Sequence, residues 1–315
     1  MIYILKNKIN IGYLSTAYHT AFILKESKDF QKHIKSDKEW ALFGTGPLMV
    51  KAFREERLDI GYMGLPPAII GIDSGLPIKC VAGGHVEGTI MIAKIRYKNI
   101  TNLNGNMKAV LSQFIGQTIG VPSKGSIHDV IIRYFIKQND LQNEITIENY
   151  EQAEFIAVDM KKNLLEAGVG TPSLSVFAST ILKSHIIIPP SKLWSFNPSY
   201  GIFFHENFIK EYPYVGKKFL EHHKRASYML RNEKKKSAKI ISKSFGLINK
   251  NYVLSVLKIS PKYCIALSEE YVESTMRFIQ ILHKLGYISK QLSVKDIFDF
   301  RFIHEIHPEK EHYSV

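Results

Sequence analysis

The chain has 315 residues, of which 45% are hydrophobic and 23% charged, a composition typical of globular proteins. Its length suits two lobes of ordinary domain size, and no apolar run reaches the ~18 residues of a transmembrane helix. The net charge of +13 would suit nucleic acid, an anionic surface or anionic ligands. No helix-turn-helix, finger or RNA-binding signature accompanies that charge, so nucleic acid is not an expected partner.

Two features bear on the cellular compartment. The cysteines, Cys80 and Cys264, each lie in an apolar run, so buried free thiols are expected, although a single disulfide remains open. Residues 1–6 are too short for the hydrophobic core of a secretory signal and lead directly into the first predicted strand. Either a leader lies outside this sequence and the protein is extracytoplasmic (periplasmic or membrane-associated), or this start is native and the protein is cytoplasmic.

Strands and helices alternate along the chain, which predicts α/β lobes. Strands are expected at residues 9–13, 40–43, 60–63, 79–82, 89–93, 118–120, 145–147, 167–169, 186–188 and 201–204. Helices are expected at residues 48–57, 127–138, 214–228, 235–245, 250–259 and 269–285. A polar boundary at 97–113 and a return crossing at 197–200 predict a discontinuous first lobe, 8–96 and 201–315 with the C-terminal helices, and a second lobe, 97–200.

The first candidate site residues follow the first predicted strand. Ser15, Tyr18 and His19 lie in its loop, where they either face a ligand or act as a helix cap with surface aromatics. The next turn contains Thr45 and Gly46, which place a hydroxyl and backbone amides at a helix N-terminus. A dinucleotide fingerprint is absent there, and a plain N-cap by Thr45 is the alternative interpretation.

Two strands in residues 58–88 release loops that are rich in glycine and proline. Helix N-termini of this kind attract anions and small polar ligands. Because the stretch contains no nucleophile, acid–base pair or metal cluster, it favours holding a ligand over transforming one. The candidate ligand-binding residues here are Gly64, Leu65, Pro66, His85, Val86, Glu87 and Gly88.

The second lobe is expected to contribute an equivalent turn. Ser126 is placed to cap the helix that starts at Ile127, with Asp129 completing a box-like arrangement. The neighbouring amides, together with Ser123 and Lys124, suit a sulfonate, phosphate or carboxylate, whereas capping alone is the alternative. Ile127 and His128 are further candidate ligand-binding residues of this turn. Further along the chain, the candidates are Gly170, Thr171 and Tyr200.

Several motifs carry a resemblance to a known family: residues 11–15, 44–47, 58–61 (LDIG), 86–88 (VEG) and 116–122. In this order and spacing they resemble the NMT1-like solute-binding proteins of ABC importers, whose ligands include nitrate, sulfonates, taurine and thiamine-precursor pyrimidines. The resemblance implies a two-lobe periplasmic-binding-protein-like fold of type II with a C-terminal helical extension. It also implies a small-molecule ligand in the interlobe cleft, permease and ATPase subunits as partners, a monomer, no cofactor and no catalytic residue.

The expected function is therefore capture of a small anionic or polar organic solute, such as a sulfonate, nitrate or bicarbonate, for an ABC importer. The alternative is a cytosolic enzyme or ligand sensor on the same fold, as in thiamine-pyrimidine or menaquinone biosynthesis. Thr171 stands where many relatives carry an acidic residue before a proline, which makes an amine such as taurine a doubtful ligand.

Two further patterns are expected to be structural. The C-terminal His304, Glu305, His307 and His312 have His-x-x-His rather than HExxH spacing, so a solvated tail is expected and no metal site. Residues 217–243 contain ten Lys or Arg against two Glu, which predicts a solvated face of a helix pair.

Overall fold

The computed structural model describes residues 6–314, and residues 1–5, on which the prediction about a leader partly rests, lie outside the described part. Two five-stranded sheets organise the chain, in the orders β2-β1-β3-β10-β4 and β7-β6-β8-β5-β9. The strands are β1 Lys8–Leu14, β2 Asp37–Phe43, β3 Ile60–Met63, β4 Ile78–Val86, β5 Ile90–Lys94, β6 Thr118–Pro122, β7 Thr146–Tyr150, β8 Ala167–Gly170, β9 Ser184–Ile188 and β10 Pro198–His205.

Helices connect and cover these strands. The six helices predicted from the sequence are all present, and further helices fill the other connections. The helices are α1 Ala21–Glu26, α2 Lys28–His33, α3 Gly46–Arg54, α4 Leu65–Asp73, α5 Met107–Ser112, α6 Ile127–Gln138, α7 Ala153–Lys161, α8 Pro172–Ile181, α9 Pro190–Leu193, α10 Glu206–Glu211, α11 Pro213–Asn232, α12 Lys234–Phe245, α13 Lys250–Ile259, α14 Glu269–Lys284, α15 Val294–Ile297 and α16 Ile303–Ile306.

Each sheet is the centre of one lobe: lobe 1 holds the first sheet and lobe 2 the second. In lobe 1, β1 pairs in parallel with β2 and β3, while β10 runs antiparallel between β3 and β4. Lobe 2 repeats the plan, because β6 is parallel to β7 and β8, and β5 is antiparallel to β8 and β9. The limits of the lobes stay a prediction. With those limits, β5 would fall in lobe 1 although it belongs to the second sheet, and the first residues of β10 would fall in lobe 2 although they belong to the first sheet.

Strand β4 is longer than the sequence predicts. It was expected to end at residue 82 and to release a loop with free amides, yet it continues to Val86. The amides of this stretch already have partners: Gly83 N donates to Ile265 O at 2.8 Å, and Val86 N donates to Lys262 O at 3.1 Å. The extra pairing is possible because residues 262–265 lie alongside β4 and absorb its outer hydrogen bonds. The predicted ligand loop is therefore strand as far as Val86.

Burial explains why β1 and the helices around it form. Along β1, Ile9, Ile11 and Tyr13 are buried in a cluster that includes the apolar faces of α1, α2, α11, α12 and α13. The opposite face of the sheet packs on α3, where Met49 and Phe53 are fully buried. Covering both faces with helices is the usual environment of parallel strands.

The C-terminal helices bridge the two lobes. Tyr252 on α13 donates from its hydroxyl to Ser173 O in lobe 2 at 2.9 Å. Trp194 Nε1 donates to Ser274 Oγ on α14 at 3.1 Å. The basic residues 217–243 fall on α11 and α12, where several lysines are exposed as predicted for a solvated face, including Lys235.

The cysteines and the helices bear on two expectations from the sequence, the burial of both thiols and the lack of a membrane span. Cys80 and Cys264 are both free and buried, as predicted. Within residues 6–314, no helix combines the length and apolar character that crossing a bilayer requires.

Candidate functional site

A cavity of about 50 Å³ lies between the two lobes. Loops at the ends of β1, β2 and β3 form its lobe 1 side, and the loops after β6, β7 and β8 form its lobe 2 side. Because carboxyl ends of parallel strands meet there, this is where an α/β fold of this kind binds ligands. The lining residues are Leu14, Ser15, Thr16, Tyr18, His19, Gly44, Thr45, Gly46, Gly64, Pro67, Pro122, Ser126, Ile127, His128, Ala153, Glu154, Thr171 and Ser199.

Five helices begin at this cavity: α3, α4, α6, α7 and α8. Each N-terminus carries a partial positive charge and first-turn amides without intrahelical partners. On α3, α4, α7 and α8 no side chain caps these amides. The first turns of four helices are thus left without a side-chain cap around one small cavity, although the prolines at positions 47, 66, 67 and 172 contribute no N–H.

Helix α6 is the one of the five that has a side-chain cap. Ser126 Oγ accepts a hydrogen bond from Asp129 N at 3.2 Å and donates to Pro122 O at 3.3 Å. The Asp129 carboxylate accepts from Gly125 N at 3.0 Å, one residue before the position of a standard capping box. The predicted cap is confirmed, and the hydroxyl that was expected to face a ligand already has two partners.

Thr45 lies at the N-terminus of α3 but does not cap it. Its hydroxyl instead lies 3.0 Å from Ser123 Oγ, across the cleft in lobe 2. Gly44 is equally close to lobe 2, because a Cβ on it would lie 2.4 Å from Gln152 Nε2. The prediction of a plain N-cap by Thr45 is therefore wrong, and these contacts show the two lobes closed on each other.

The histidines of the cavity are uncharged near neutral pH. Burial lowers the pKa of His128 to about 3, and its Nδ1 lies 3.0 Å from Thr89 Oγ1. Burial, followed by the nearby His85 and His223, lowers the pKa of His19 well below its usual value. The Nδ1 of His19 has no hydrogen-bond partner although it is buried. His19 is therefore neutral and keeps one ring nitrogen without a hydrogen-bond partner.

Glu154, in the first turn of α7, is the acidic side chain of the cavity. Burial raises the pKa of its carboxyl, and a hydrogen bond from its own backbone amide offsets only part of that rise. Among the lining residues, all of them in the described part of the chain, there is no lysine or arginine. Positive potential in this cavity therefore comes from helix ends, and Glu154 opposes it when ionised.

Ten of the predicted ligand-binding residues are brought together at the cavity, whereas nine are not among its lining residues. Those that line it are Ser15, Tyr18, His19, Thr45, Gly46, Gly64, Ser126, Ile127, His128 and Thr171. Those that do not are Leu65, Pro66, His85, Val86, Glu87, Gly88, Ser123, Gly170 and Tyr200. The role of each in binding a ligand stays a prediction.

The aromatic residues outside the cavity form its buried support. The rings of Tyr18 and His85 lie 4.8 Å apart, and His85 Nε2 lies 2.7 Å from Ser260 O. Tyr200 is fully buried and accepts a hydrogen bond from Thr20 N at 3.4 Å. His85 and Tyr200 therefore hold Tyr18 from behind instead of lining the cavity.

The valine-glutamate-glycine motif ties together the two chain crossings between the lobes. Glu87, which has a positive φ of 59°, accepts from Phe196 N at 3.0 Å and pairs with Lys262 at 2.9 Å. Gly88 N donates to the hydroxyl of Ser199. These contacts use the polar groups that the sequence suggested for a ligand.

Some lining residues were not singled out from the sequence, and Glu154 is the most consequential of them. The predicted strand at 145–147 ended before Tyr150, which hid the strand-to-helix turn at which α7 begins. A polar residue in the first turn after a parallel strand is the signal that would have found it.

Comparison with known proteins places this geometry in context. The NMT1-like family profile matches residues 5–244. No curated protein matches the chain in sequence. Among solved structures, the ligand-binding component of an ABC-type import system from Staphylococcus aureus, determined with zinc bound, has a TM-score of 0.80 at 15% identity, covering 96% of this chain and 100% of that one.

Two other solved structures share the fold. The periplasmic aliphatic sulphonate-binding protein SsuA from Escherichia coli has a TM-score of 0.76 at 15% identity, covering 93% of this chain and 92% of that one. The periplasmic nitrate-binding protein NrtA from Synechocystis PCC 6803 has a TM-score of 0.76 at 13% identity, with 96% and 88% covered. At these identities the likeness shows the two-lobe periplasmic-binding-protein fold.

Proposed function

The chain belongs to the NMT1-like family, and we propose that it is the solute-binding component of an ABC importer that captures a small anionic or polar organic solute between its lobes. The observation that carries the proposal is the convergence of five helix N-termini on one interlobe cavity. Helix N-termini bind anions and the acceptor atoms of polar ligands through their free amides.

The size of the cavity supports a small solute. Its volume of about 50 Å³ corresponds to roughly three to five water molecules, if each needs about 10–15 Å³. Nitrate, bicarbonate or the head group of a sulfonate has that number of heavy atoms. A larger organic tail requires the lobes to open further than they do here.

The charges at the cavity favour an anion that is bound without a lysine or arginine side chain as its partner. Thr171 is neutral at the N-terminus of α8, and His19 and His128 are uncharged near neutral pH. Glu154 has a raised pKa, so its protonated form can donate a hydrogen bond to an anion. A cationic amine would meet the positive ends of five helices, which disfavour it.

The partners follow from the same proposal. An importer needs permease and ATPase subunits as partners. Its binding protein acts as a monomer on the extracytoplasmic side, to which a leader directs it. The solved neighbours are described as components of import systems or as periplasmic binding proteins, which supports this over an enzyme or sensor on the same fold.

A ligand screen by thermal shift tests the proposal. Nitrate, bicarbonate, methanesulfonate, small carboxylates and pyrimidines form one panel, and methylammonium, choline and ethanolamine form the other. A ligand at ~100-fold excess over its Kd should stabilise the folded protein by about 2.7 kcal/mol. Stabilisation by members of the first panel is expected, and stabilisation by cationic amines alone would contradict the proposal.

A further inference from the structure

A second cluster of polar side chains lies away from the interlobe cavity, where the C-terminal tail meets lobe 1. It consists of Cys264, His307 and His312, whose potential ligand atoms all lie within 4.8 Å of one another. The solvated tail predicted from the sequence is correct for His304 and Glu305, which are exposed. It is wrong for His307, which is 7% exposed. The tail folds back because apolar residues flanking the cluster, Ile306 and Tyr313, are buried against lobe 1.

The three atoms form a closed triangle. Cys264 Sγ lies 3.3 Å from His307 Nε2 and 3.5 Å from His312 Nδ1, and the two nitrogens lie 3.2 Å apart. Each ring nitrogen of a neutral imidazole either donates or accepts, and the thiol carries one S–H, so at most two of the three edges can hold a linear hydrogen bond. The third edge is left without one, whereas a cation at the centre of the triangle would be bound by all three atoms.

The triangle has the dimensions of a tetrahedral metal site. With Zn–S of about 2.3 Å and Zn–N of about 2.0–2.1 Å, tetrahedral angles place sulfur about 3.6 Å from each nitrogen and the nitrogens about 3.3 Å apart. The observed edges differ from these values by a few tenths of an ångström. The ligand set of one thiolate and two imidazoles is one that zinc prefers.

We propose that Cys264 Sγ, His307 Nε2 and His312 Nδ1 bind a zinc-type divalent cation that fastens the C-terminal tail to lobe 1. Binding replaces the thiol proton, which passes to solvent, and leaves one tetrahedral position for water. His312 is half-buried, so that position can be reached from outside.

The surroundings can balance the charge of the ion. Glu309 Oε1 lies 3.6 Å from His307 Nε2 and is held by Lys224 at 2.6 Å. The Glu311 carboxylate lies near the cluster and accepts from Tyr313 N. Glu309 and Glu311 therefore oppose the one net positive charge that the site would carry with a divalent ion and a thiolate, while Lys224 and Arg231 lie close enough to add to it.

The tail that the ion would fasten is in contact with the sheet of lobe 1. Tyr313 is fully buried and its hydroxyl donates to Ala266 O at 2.9 Å. A Cβ on Gly83 of β4 would lie 2.0 Å from that hydroxyl, so the tyrosine fills space that only glycine leaves. The cation would close a loop of more than forty residues between Cys264 and His307, and a link of this kind stabilises the ordered tail.

Cobalt and zinc binding to the full chain, first stripped with a chelator, tests this proposal. Co²⁺ should bind with a stoichiometry of about one and give tetrahedral d–d bands with a thiolate charge-transfer band, and Zn²⁺ should displace it. Cys264→Ser should abolish the charge-transfer band. His312→Ala, at a half-buried position that is safer for folding, should weaken Zn²⁺ binding at least tenfold.

His304→Ala is the matched control, since it removes an exposed imidazole from the same tail outside the triangle. It should leave metal binding unchanged. Hydrogen exchange should show residues 303–313 protected by Zn²⁺ in the wild type and in His304→Ala, and unaffected in His312→Ala. Absence of the thiolate band in wild type, or equal Zn²⁺ affinity in wild type and His312→Ala, would overturn the proposal.

Discussion

Replacing Ser126 by alanine separates a helix cap from a ligand contact. The substitution removes the hydroxyl that accepts from Asp129 N at 3.2 Å and donates to Pro122 O at 3.3 Å. Loss of a serine cap costs about 1 kcal/mol, and loss of the second hydrogen bond adds roughly 0.5–1 kcal/mol. We therefore expect Ser126→Ala to lower the free energy of unfolding, measured by denaturant titration without ligand, by ~1.5–2 kcal/mol.

The effect on binding is expected to be separate and larger. If the hydroxyl turns from Pro122 O to a charged ligand in the cavity, its removal costs about 1.5–3 kcal/mol of binding, roughly ten- to a hundredfold in Kd. Calorimetric titration of the folded variant with the tightest ligand of the screen measures that loss.

Ser268→Ala is the matched control for this prediction. Ser268 caps α14 by accepting from Tyr271 N at 3.3 Å, with φ −66° and ψ 164° against −68° and 159° at Ser126. It lies outside the cavity lining, so its loss should lower stability by about 1 kcal/mol and leave affinity unchanged. Full affinity in Ser126→Ala, or an equal loss in both variants, would refute a ligand contact by this hydroxyl.

Three other predictions follow from the cleft and its surroundings. Glu154→Gln should tighten binding of an anion about tenfold at pH ~8, within the range for like charges ~4 Å apart. Calorimetry of the wild type should show anion binding weaken as pH rises through the raised pKa of Glu154, and the variant should lack this weakening; weaker anion binding by the variant would contradict the prediction. Gly44→Leu should hold the lobes apart, because even a Cβ would lie 2.4 Å from Gln152 Nε2. Small-angle X-ray scattering should then show a larger radius of gyration, and an unchanged scattering profile with unchanged ligand affinity would argue against closure at this point. Burial lowers the pKa of His85 and His223 to about 4 and that of His128 to about 3. Between about pH 6.5 and 4 these histidines bind a proton in the unfolded chain but not in the folded chain. The free energy of unfolding should therefore be highest above about pH 6.5 and fall on acidification by up to ~1.4 kcal/mol per pH unit for each histidine. Equal free energies of unfolding at about pH 7 and 5 would contradict the last prediction.

The sequence was sufficient for the strands because most of them are buried apolar runs between turn residues; the edge strands β2 and β7 are only partly buried. All ten predicted strands are present, and β3 has the predicted limits. The limits of β4 and β7 were too short, because those strands gain pairing that depends on distant parts of the chain. For β4 the partner segment is residues 262–265, which no local pattern connects to residues 83–86.

Residues that line the cavity were predictable where a strand ends and a helix begins, and their role in binding stays a prediction. Thr45, Ser126 and Thr171 were found in this way, and all three line the cavity. His85 was not distinguishable from a cavity residue, because only the tertiary packing against Tyr18 and Ser260 shows that it lies behind the wall. Cys264 and His307 lie 43 residues apart, so their contact was equally invisible.

The central claim is that helix N-termini hold a small solute between the lobes. A crystal structure with the tightest ligand of the screen tests it most directly. We predict that polar atoms of the ligand lie within hydrogen-bond distance of first-turn amides from both lobes, from α3 or α4 on one side and from α6, α7 or α8 on the other. A ligand held by surface lysines or arginines, or bound outside the interlobe cavity, would contradict the account.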